Sequence, residues 1–183
     1  MSDPSVHASA EARVQRGAST PGGTGRPAPL HSALACAGWI LLSMAAGLAA
    51  LLWPVDAWYA TIAKPSWNPP NWLFGPVWTT LYILIGVAAW RVWRTGACRR
   101  DRVALAGFLV QWAMNFAWSG FFFGLRSPGL AAIEIICLLA LIAFTMKRFA
   151  RHDLASAVLL VPYIAWVAFA TALNLALWWM NRG

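Results

Sequence analysis

Charged residues are scarce in this sequence. They make up 11% of its 183 residues, whereas hydrophobic residues make up 60%; an average soluble domain has about 25% charged residues. Three long stretches, residues 65–90, 103–125 and 154–181, contain no Asp, Glu, Lys or Arg at all. Because about 20 apolar residues in a helix cross the hydrocarbon core of a bilayer, each stretch is long enough to span a membrane. This patterning excludes an ordinary soluble domain.

Cysteine and histidine are also few, which excludes several kinds of site. The three Cys are scattered between apolar and basic segments, so they predict neither a disulfide framework nor a metal cluster. The three His, His7, His31 and His152, all lie outside the apolar stretches. We therefore expect no histidine to ligate a haem iron within the membrane.

The net charge of +8 does not indicate a nucleic-acid partner, because Arg and Lys lie between the apolar stretches and leave no basic, aromatic-interleaved surface for phosphates. Eleven of the 14 Lys and Arg residues lie in the first 30 residues or in and beside the second and fourth connections between spans. The positive-inside rule then predicts a cytoplasmic amino terminus in a multi-pass protein of a bacterial cell membrane. In a mitochondrial or bacterial outer membrane this rule would not apply.

The chain is predicted to be an all-α integral membrane protein, a five-transmembrane-helix bundle, because lipid offers no partner to an unpaired backbone group. The predicted spans cover residues 33–53, 74–93, 103–124, 129–146 and 154–180, within a membrane domain over residues 31–183. Residues 1–30 are rich in Ser, Pro and Gly and are predicted to form a disordered extension. A transit peptide is the alternative, which Asp3 and Glu11 disfavour.

Tryptophan is abundant, with 13 residues. Five of them lie near span ends, where indole rings anchor a helix at the headgroup level. Others lie in the first long connection, residues 58–72, where Trp alternates with three Pro. Because proline restricts its own backbone and that of the preceding residue, this connection is predicted to form a rigid, aromatic lid over the bundle.

Three of the predicted spans carry a helical stripe that mixes aromatic and polar side chains. Its members are Trp78, Tyr82 and Ala89 on the second span, Gln111, Asn115, Trp118, Ser119 and Phe122 on the third, and Tyr163, Trp166, Ala170 and Asn174 on the fifth. Polar groups at membrane depth must face protein, ligand or water. The stripes are therefore either contacts that hold the helices together or the walls of a cavity for a flat, π-rich ligand.

Four motifs resemble those of the TspO/MBR family of tryptophan-rich sensory proteins and translocator proteins. They are Lys64-Pro65-Ser66-Trp67-Asn68-Pro69-Pro70, Phe74-Gly75-Pro76-Val77-Trp78-Thr79, Asn115-x-x-Trp118-Ser119 and Pro162-Tyr163-x-x-Trp166. The resemblance covers the chain from Ala33 to the carboxyl terminus.

This resemblance implies a five-helix bundle that is usually a homodimer and binds porphyrins and, in some members, sterols or benzodiazepine-type drugs. Carried over by motif, the ligand-binding residues would be Tyr59, Pro69, Trp78, Tyr82, Asn115, Trp118, Trp166 and Ala170. Trp78 and Trp166 match two tryptophans that the family ties to porphyrin chemistry. Sterol transport is not predicted, because Leu175 stands where the family's sterol consensus has Tyr.

The expected function is a membrane sensor or receptor for a tetrapyrrole, linked to regulation of tetrapyrrole metabolism or to a stress response. The expected ligand is a metal-free, protoporphyrin-like molecule stacked on Trp78 and Trp166, with its propionates toward Lys64; no cofactor is required. A porphyrin carrier and a light-dependent porphyrin-degrading enzyme are the alternatives. The spans contain no nucleophile–base pair or metal cluster, and Glu134, within the fourth span, suits a bond to a neighbouring helix as well as proton carriage.

Two pairs of small residues allow helices to approach closely. They are Gly120-x-x-x-Gly124 and Ser43-x-x-x-Gly47. Either pair suits packing inside the chain or the seam of a homodimer.

Overall fold

The computed structural model describes residues 29–182, which form helices joined by turns and contain no strand. The helices are α1 (Pro29–Met44), α2 (Ala49–Leu52), α3 (Ala57–Thr61), α4 (Asn71–Arg94), α5 (Ala97–Arg100), α6 (Arg102–Ser119), α7 (Pro128–Ala150), α8 (Leu154–Leu159) and α9 (Val161–Met180). A 3₁₀ turn, Ala45–Leu48, joins α1 to α2, and a π turn, Gly120–Gly124, extends α6. The all-α prediction is confirmed for the described part of the chain.

Four of the helical stretches are long and apolar enough to cross a membrane: Leu30–Leu52, Asn71–Arg94, Pro128–Ala150 and Leu154–Met180. The predicted span over residues 103–124 does form a helix, α6 with its π turn. It is less apolar than the other four, because Gln111, Asn115 and two Trp interrupt it. The predicted count of five spans is therefore not confirmed by length and composition.

The ends of the helices differ in detail from the prediction. Helix α1 begins at Pro29, and the extension predicted for residues 1–30 stays a prediction because residues 1–28 lie outside the described residues. Helix α4 begins at Asn71, directly after Pro70, so Pro76 lies inside the helix instead of in its first turn. The carbonyl that Pro76 leaves without its helical N–H is that of Trp72, an exposed residue near the helix end.

Helices α1 and α4 pack most closely at Gly86. A Cβ atom added to Gly86 would lie 2.5 Å from the Cα atom of Ile40, so only glycine fits this crossing. Two indoles fix α1 further, because Trp90 Nε1 donates to Ser32 O at 2.8 Å and Trp112 Nε1 donates to Leu42 O at 2.8 Å. The first helix is thus held against α4 and α6 by contacts with its backbone.

Both pairs of small residues are used inside the chain. A Cβ atom on Gly124 would lie 2.7 Å from Cδ1 of Trp53, and one on Gly120 would lie 3.3 Å from the same indole. Ser43 is fully buried and donates to Trp39 O at 2.9 Å, and Gly47 faces the ring of Tyr82. These contacts favour internal packing for both pairs, and the homodimer stays a prediction.

Ion pairs connect the helices at the end of the bundle opposite the lid. Asp153 accepts hydrogen bonds from Arg91 Nε at 2.7 Å and from Ser156 N at 3.1 Å. The hydrogen bonds from Arg91 and Ser156 lower the pKa of the Asp153 carboxyl to about 2. Asp101 accepts a hydrogen bond from Arg148 at 2.6 Å and contacts His152 Nε2 at 2.9 Å. Each carboxylate thereby links helices that are distant in sequence.

Replacement of Gly86 by Ala should destabilise the bundle. The added methyl group meets the backbone of α1, and overpacking of this kind costs about 1–3 kcal/mol. Gly38→Ala on α1 is the matched control, because its new Cβ would meet nothing within 4 Å, and helix propensity alone should stabilise it by up to about 1 kcal/mol. Unfolding of both variants in detergent measures the difference; equal stabilities would contradict the close crossing.

The Asp153 ion pair should make stability depend on pH in acid. A carboxyl whose pKa is lowered on folding contributes stability that is fully present above its unfolded pKa of about 3.9 and is lost as the pH falls through about 2. Asp153→Asn keeps a helix-capping side chain but removes the titrating group. Between pH 5 and pH 2, the unfolding free energy of the unaltered protein should fall more steeply than that of the variant. Parallel curves would contradict this assignment.

Candidate ligand-binding cavity

The lid comprises residues 54–70, between α2 and α4, and contains the short helix α3; it was predicted over residues 58–72, but α4 already begins at Asn71. Asp56 caps α3 by accepting a hydrogen bond from Tyr59 N at 3.3 Å. This start of the helix turns Tyr59 inward: its ring is 7% exposed and lies edge-on to Phe122 and Phe123, at centroid distances of 6.1 and 5.7 Å. The lid thus inserts one aromatic ring between the helix ends.

The lid is attached to the bundle at two places. Asn181, just beyond α9, accepts from Ala63 N and donates to Ala63 O, both at 2.9 Å. Arg126, which follows the π turn, donates to Asp56 at 2.8 Å. These contacts hold the start and the middle of the lid to different parts of the chain.

Lys64 is engaged within the lid. Its ammonium group donates to Ile62 O at 3.0 Å and lies 4.6 Å from the centre of the Tyr59 ring. A cation over an aromatic face is attracted to the ring's π electrons. This contact places a positive charge beside Tyr59, on the lid.

Beneath the lid lies a cavity of about 390 Å³. Its walls come from the end of α1, the 3₁₀ turn, α2, Val55 and Tyr59 of the lid, α4, α6 with its π turn, and α9, and none of the lining side chains carries a charge. Six of the eight predicted site residues line it: Tyr59, Trp78, Tyr82, Asn115, Trp118 and Ala170. Members of the stripes on all three helices therefore meet at one cavity, whereas Ala89, Gln111, Tyr163 and Trp166 do not line it.

The other two predicted site residues, Pro69 and Trp166, do not line this cavity. Trp166 packs against Phe74, with ring centroids 5.8 Å apart, and against Phe169 at 5.4 Å. Because Phe74 itself lines the cavity, Trp166 lies one ring behind the wall. Pro69 lies on the lid, where its carbonyl accepts from Asn68 Nδ2 at 3.0 Å. Trp78 therefore lines the cavity and Trp166 does not, and contact of both indoles with a ligand stays a prediction.

A chain of buried hydrogen bonds crosses three helices beside the cavity. Tyr82 OH donates to Asn115 Oδ1 at 2.9 Å, Asn115 Nδ2 donates to Tyr163 OH at 3.2 Å, and Tyr163 OH donates to Gln111 Oε1 at 2.8 Å. The same polar stripe that borders the cavity thus also holds α4, α6 and α9 together. Since both polar atoms of the Asn115 amide are already bonded, this wall presents mainly carbon to a ligand.

The adjoining part of the wall, one turn further along α6, uses Trp118 together with Asn174 of α9. Trp118 Nε1 donates to Asn174 Oδ1 at 3.0 Å, and Asn174 Nδ2 donates to Pro128 O at 2.8 Å. Trp118 also stacks on Phe122, with centroids 5.0 Å apart. Trp78 stacks on Tyr82 at 5.3 Å. Two stacked aromatic pairs therefore border the space, each fixed by a hydrogen bond to a neighbouring helix.

A family model for the TspO/MBR family matches residues 33–180. The chain belongs to the TspO/MBR family. It is 43% identical over 129 residues to the Tryptophan-rich protein TspO of Chlorobaculum tepidum, covering 70% of this chain and 82% of that protein. It is 40% identical over 128 residues to the Translocator protein of Homo sapiens, covering 69% and 76%, and 40% identical over 125 residues to the Tryptophan-rich sensory protein of Cereibacter sphaeroides, covering 68% and 77%.

Membership of the TspO/MBR family confirms the resemblance that the motifs indicated. Together with four helices long and apolar enough to span a bilayer, it identifies a multi-pass membrane protein. The matched range begins at the predicted start of the first span and ends at the carboxyl end of α9. All the lining residues of the cavity fall inside it.

The first span also contributes to this TspO/MBR cavity, which its sequence did not predict. Ala46, Gly47, Ala49 and Ala50 line it. These residues carry no polar or aromatic signal, and the 3₁₀ turn that presents them interrupts the helical spacing. The only cue is the run of small residues itself, which leaves room beside Tyr82 and Trp78.

Glu134 does not belong to the cavity. It lies on α7, is 8% exposed, and neither carboxyl oxygen has a hydrogen-bond partner among the described residues. The structure therefore does not show the bond to a neighbouring helix that the sequence suggested as one role. The described residues also contain no group of three or more potential metal ligands.

Loss of the Tyr163 hydroxyl should destabilise the helix bundle. In Tyr163→Phe, Gln111 Oε1 and Asn115 Nδ2 lose their partner in a buried site, and an unsatisfied buried polar group costs about 1–3 kcal/mol. Tyr59→Phe is the matched control, because its hydroxyl makes a long, 3.3 Å bond to Asn68 on the lid. Denaturation in detergent without ligand should separate the two variants; equal losses would contradict the role of the buried chain.

Proposed function

We propose that this protein is a membrane sensor or receptor that binds a metal-free, protoporphyrin-like tetrapyrrole in the cavity beneath the lid. In this proposal, ligand occupancy reports on tetrapyrrole metabolism or stress. The observation that carries the proposal is an uncharged cavity bordered by two stacked aromatic pairs. A flat, π-rich molecule matches such walls, because aromatic faces stack favourably.

The volume of the cavity suits partial enclosure of the ligand. Small-molecule pockets usually measure about 300–1,000 Å³, so about 390 Å³ is at the lower end of that range. A macrocycle would lie between Trp78 and Trp118 with one edge outside the enclosed space. Trp166 then supports Phe74 from behind instead of touching the ligand.

The charge distribution supports one orientation of the ligand. No charged side chain lines the cavity, so the two propionates of a porphyrin would remain at the lid. Lys64 lies there over Tyr59, and Arg126 lies there beside Asp56. A propionate of the ligand could replace the backbone carbonyls as the acceptor of the hydrogen bonds that Lys64 donates.

A metal-free ligand is supported by the positions of the histidines. The described lining contains no His, and His152 contacts Asp101 at the opposite end of the bundle. An axial imidazole for a porphyrin iron is therefore not provided at this site.

We propose that the protein crosses a bacterial cell membrane with five spans and has a cytoplasmic amino terminus. Helix α6 and its π turn would be the additional span, because Gln111 and Asn115 are buried against protein and need not contact lipid. The basic residues near Asp101 and Asp153 then lie on the cytoplasmic side, and the lid lies on the other. A homodimer is proposed from the family resemblance alone.

Three measurements separate this proposal from a carrier and from an enzyme. Binding without turnover in the dark and in light supports a sensor or receptor. Movement of porphyrin across sealed vesicles supports a carrier, and light- and oxygen-dependent loss of porphyrin supports an enzyme.

Trp78→Leu should weaken protoporphyrin binding about tenfold, which corresponds to about 1.4 kcal/mol, because it removes an aromatic face from the wall. Trp166→Phe should have a smaller effect, about twofold, since Trp166 lies behind Phe74. Trp179→Phe is the control: Trp179 is 65% exposed and contacts Arg182, away from the cavity. The Soret absorbance of protoporphyrin, titrated with purified protein, gives the three affinities. Equal affinities for all variants would contradict the proposed site.

A further inference from the structure

The cavity has an exposed rim on one side only. Residues that line the cavity and are also exposed at the protein surface define this rim: Met44, Ala50, Val55, Asn71, Gly75 and Thr79. All of them belong to the end of α1, α2, the start of the lid, or the first turns of α4. The lining residues from α6 and α9 are buried or half-buried. The cavity therefore opens sideways, between α1–α2 and α4.

The rim extends well below the level of the lid. Thr79 lies eight residues beyond Asn71, which is about 12 Å along a helix that rises 1.5 Å per residue. Met44 lies eight residues before Leu52, at a similar depth from the same end of the bundle. Half the hydrocarbon thickness of a bilayer is about 15 Å. Since both stretches are long and apolar enough to span, the opening faces acyl chains.

The chemistry of the rim suits contact with lipid. The Thr79 hydroxyl donates to Gly75 O at 2.9 Å, and the Thr80 hydroxyl donates to Pro76 O at 3.0 Å. These hydroxyls are therefore satisfied within their own helix and need no water. A Cβ atom on Gly75 would meet nothing within 4 Å, so no side chain obstructs the opening at this point.

The route through the lid is obstructed. Asn181 bonds both the N–H and the carbonyl of Ala63, and Arg126 bonds Asp56. Tyr59, at 7% exposure, fills the space directly below. An axial route would have to break these contacts, whereas the lateral opening requires none to break.

We infer that the ligand reaches the cavity sideways, from the acyl-chain region of the leaflet on the lid side, through the rim between α1–α2 and α4. This inference rests on the proposed function and narrows its ligand class to flat amphiphiles that dissolve in the membrane. The apolar edge enters first, toward Phe122 and Leu173. The carboxylates follow at the level of the lid, where Lys64 lies.

A nitroxide at the rim tests whether the opening faces lipid, and it needs no porphyrin. Thr79→Cys is labelled in a background with Cys36, Cys98 and Cys137 changed to Ser, in phosphatidylcholine vesicles. Its relaxation should be enhanced by oxygen, which concentrates in lipid, and not by a water-soluble nickel chelate. A label at Ser66→Cys, on the exposed lid, should show the opposite. Enhancement by nickel at position 79 would overturn the lipid-facing opening.

The rates of protoporphyrin binding to the same vesicles test the route. Gly75→Phe should slow association and dissociation together by about tenfold, because a ring now stands in the opening. Gly38→Phe is the matched control, on an exposed face of α1 with open space at its Cβ, and should change neither rate by more than about twofold. Asn181→Ala, which releases the lid, should also leave both rates nearly unchanged.

The outcomes distinguish the two proposals. Faster association in Asn181→Ala, with unchanged rates in Gly75→Phe, would overturn the lateral route and support access through the lid. No protoporphyrin binding by the unaltered protein would overturn the proposed function and the ligand class. The nitroxide result would still decide whether the opening faces lipid.

Discussion

The structure depends on one constraint: a polar group inside a bilayer must find its partner within the protein. The hydrogen bonds from Tyr82 through Asn115 and Tyr163 to Gln111 meet this requirement and join α4, α6 and α9. Because these atoms bond each other, the carbon faces of Tyr82 and Asn115 are left to border the cavity. These two side chains therefore help to hold the bundle together and also form part of an apolar cavity wall.

The position of the cavity follows from how α1 changes along its length. At Ile40, Gly86 of α4 brings the two helices too close for any added side chain. Beyond Met44, the 3₁₀ turn and α2 present small residues to the cavity. On the facing side, the first turns of α4 contain the exposed Gly75. The same two helices are therefore sealed at one end and separated at the other. The bundle therefore contains a cavity between these helices that is closed toward the cytoplasmic side in the proposed orientation.

The sequence predicted most of this site because lipid restricts where polar and aromatic residues can lie. The stripes on the second, third and fifth spans placed Trp78, Tyr82, Asn115, Trp118 and Ala170 on common faces, and the structure brings them together. Helical spacing could not predict that Phe74 would lie between Trp166 and the cavity, since that depends on the entry angle of α4 after Pro70. It also could not predict the wall from α1, because Ala and Gly give no periodic signal. The third span was inferred from its length, whereas Gln111 and Asn115 lower the hydropathy of α6 because they are polar, which is also why they can bond to neighbouring helices.

The abundance of tryptophan has a physical cause beyond anchoring at the headgroups. Indole combines a large apolar face with one N–H donor, so it can fill space and also satisfy a carbonyl that lipid cannot. Trp90 and Trp112 donate to the backbone of α1, and Trp118 donates to Asn174. The Nε1 of Trp166 is buried and has no hydrogen-bond partner among the described residues. Leaving this donor unsatisfied costs stability, whereas the ring packs against Phe74 and Phe169, so Trp166 contributes to this part of the bundle as an apolar ring and not as a donor.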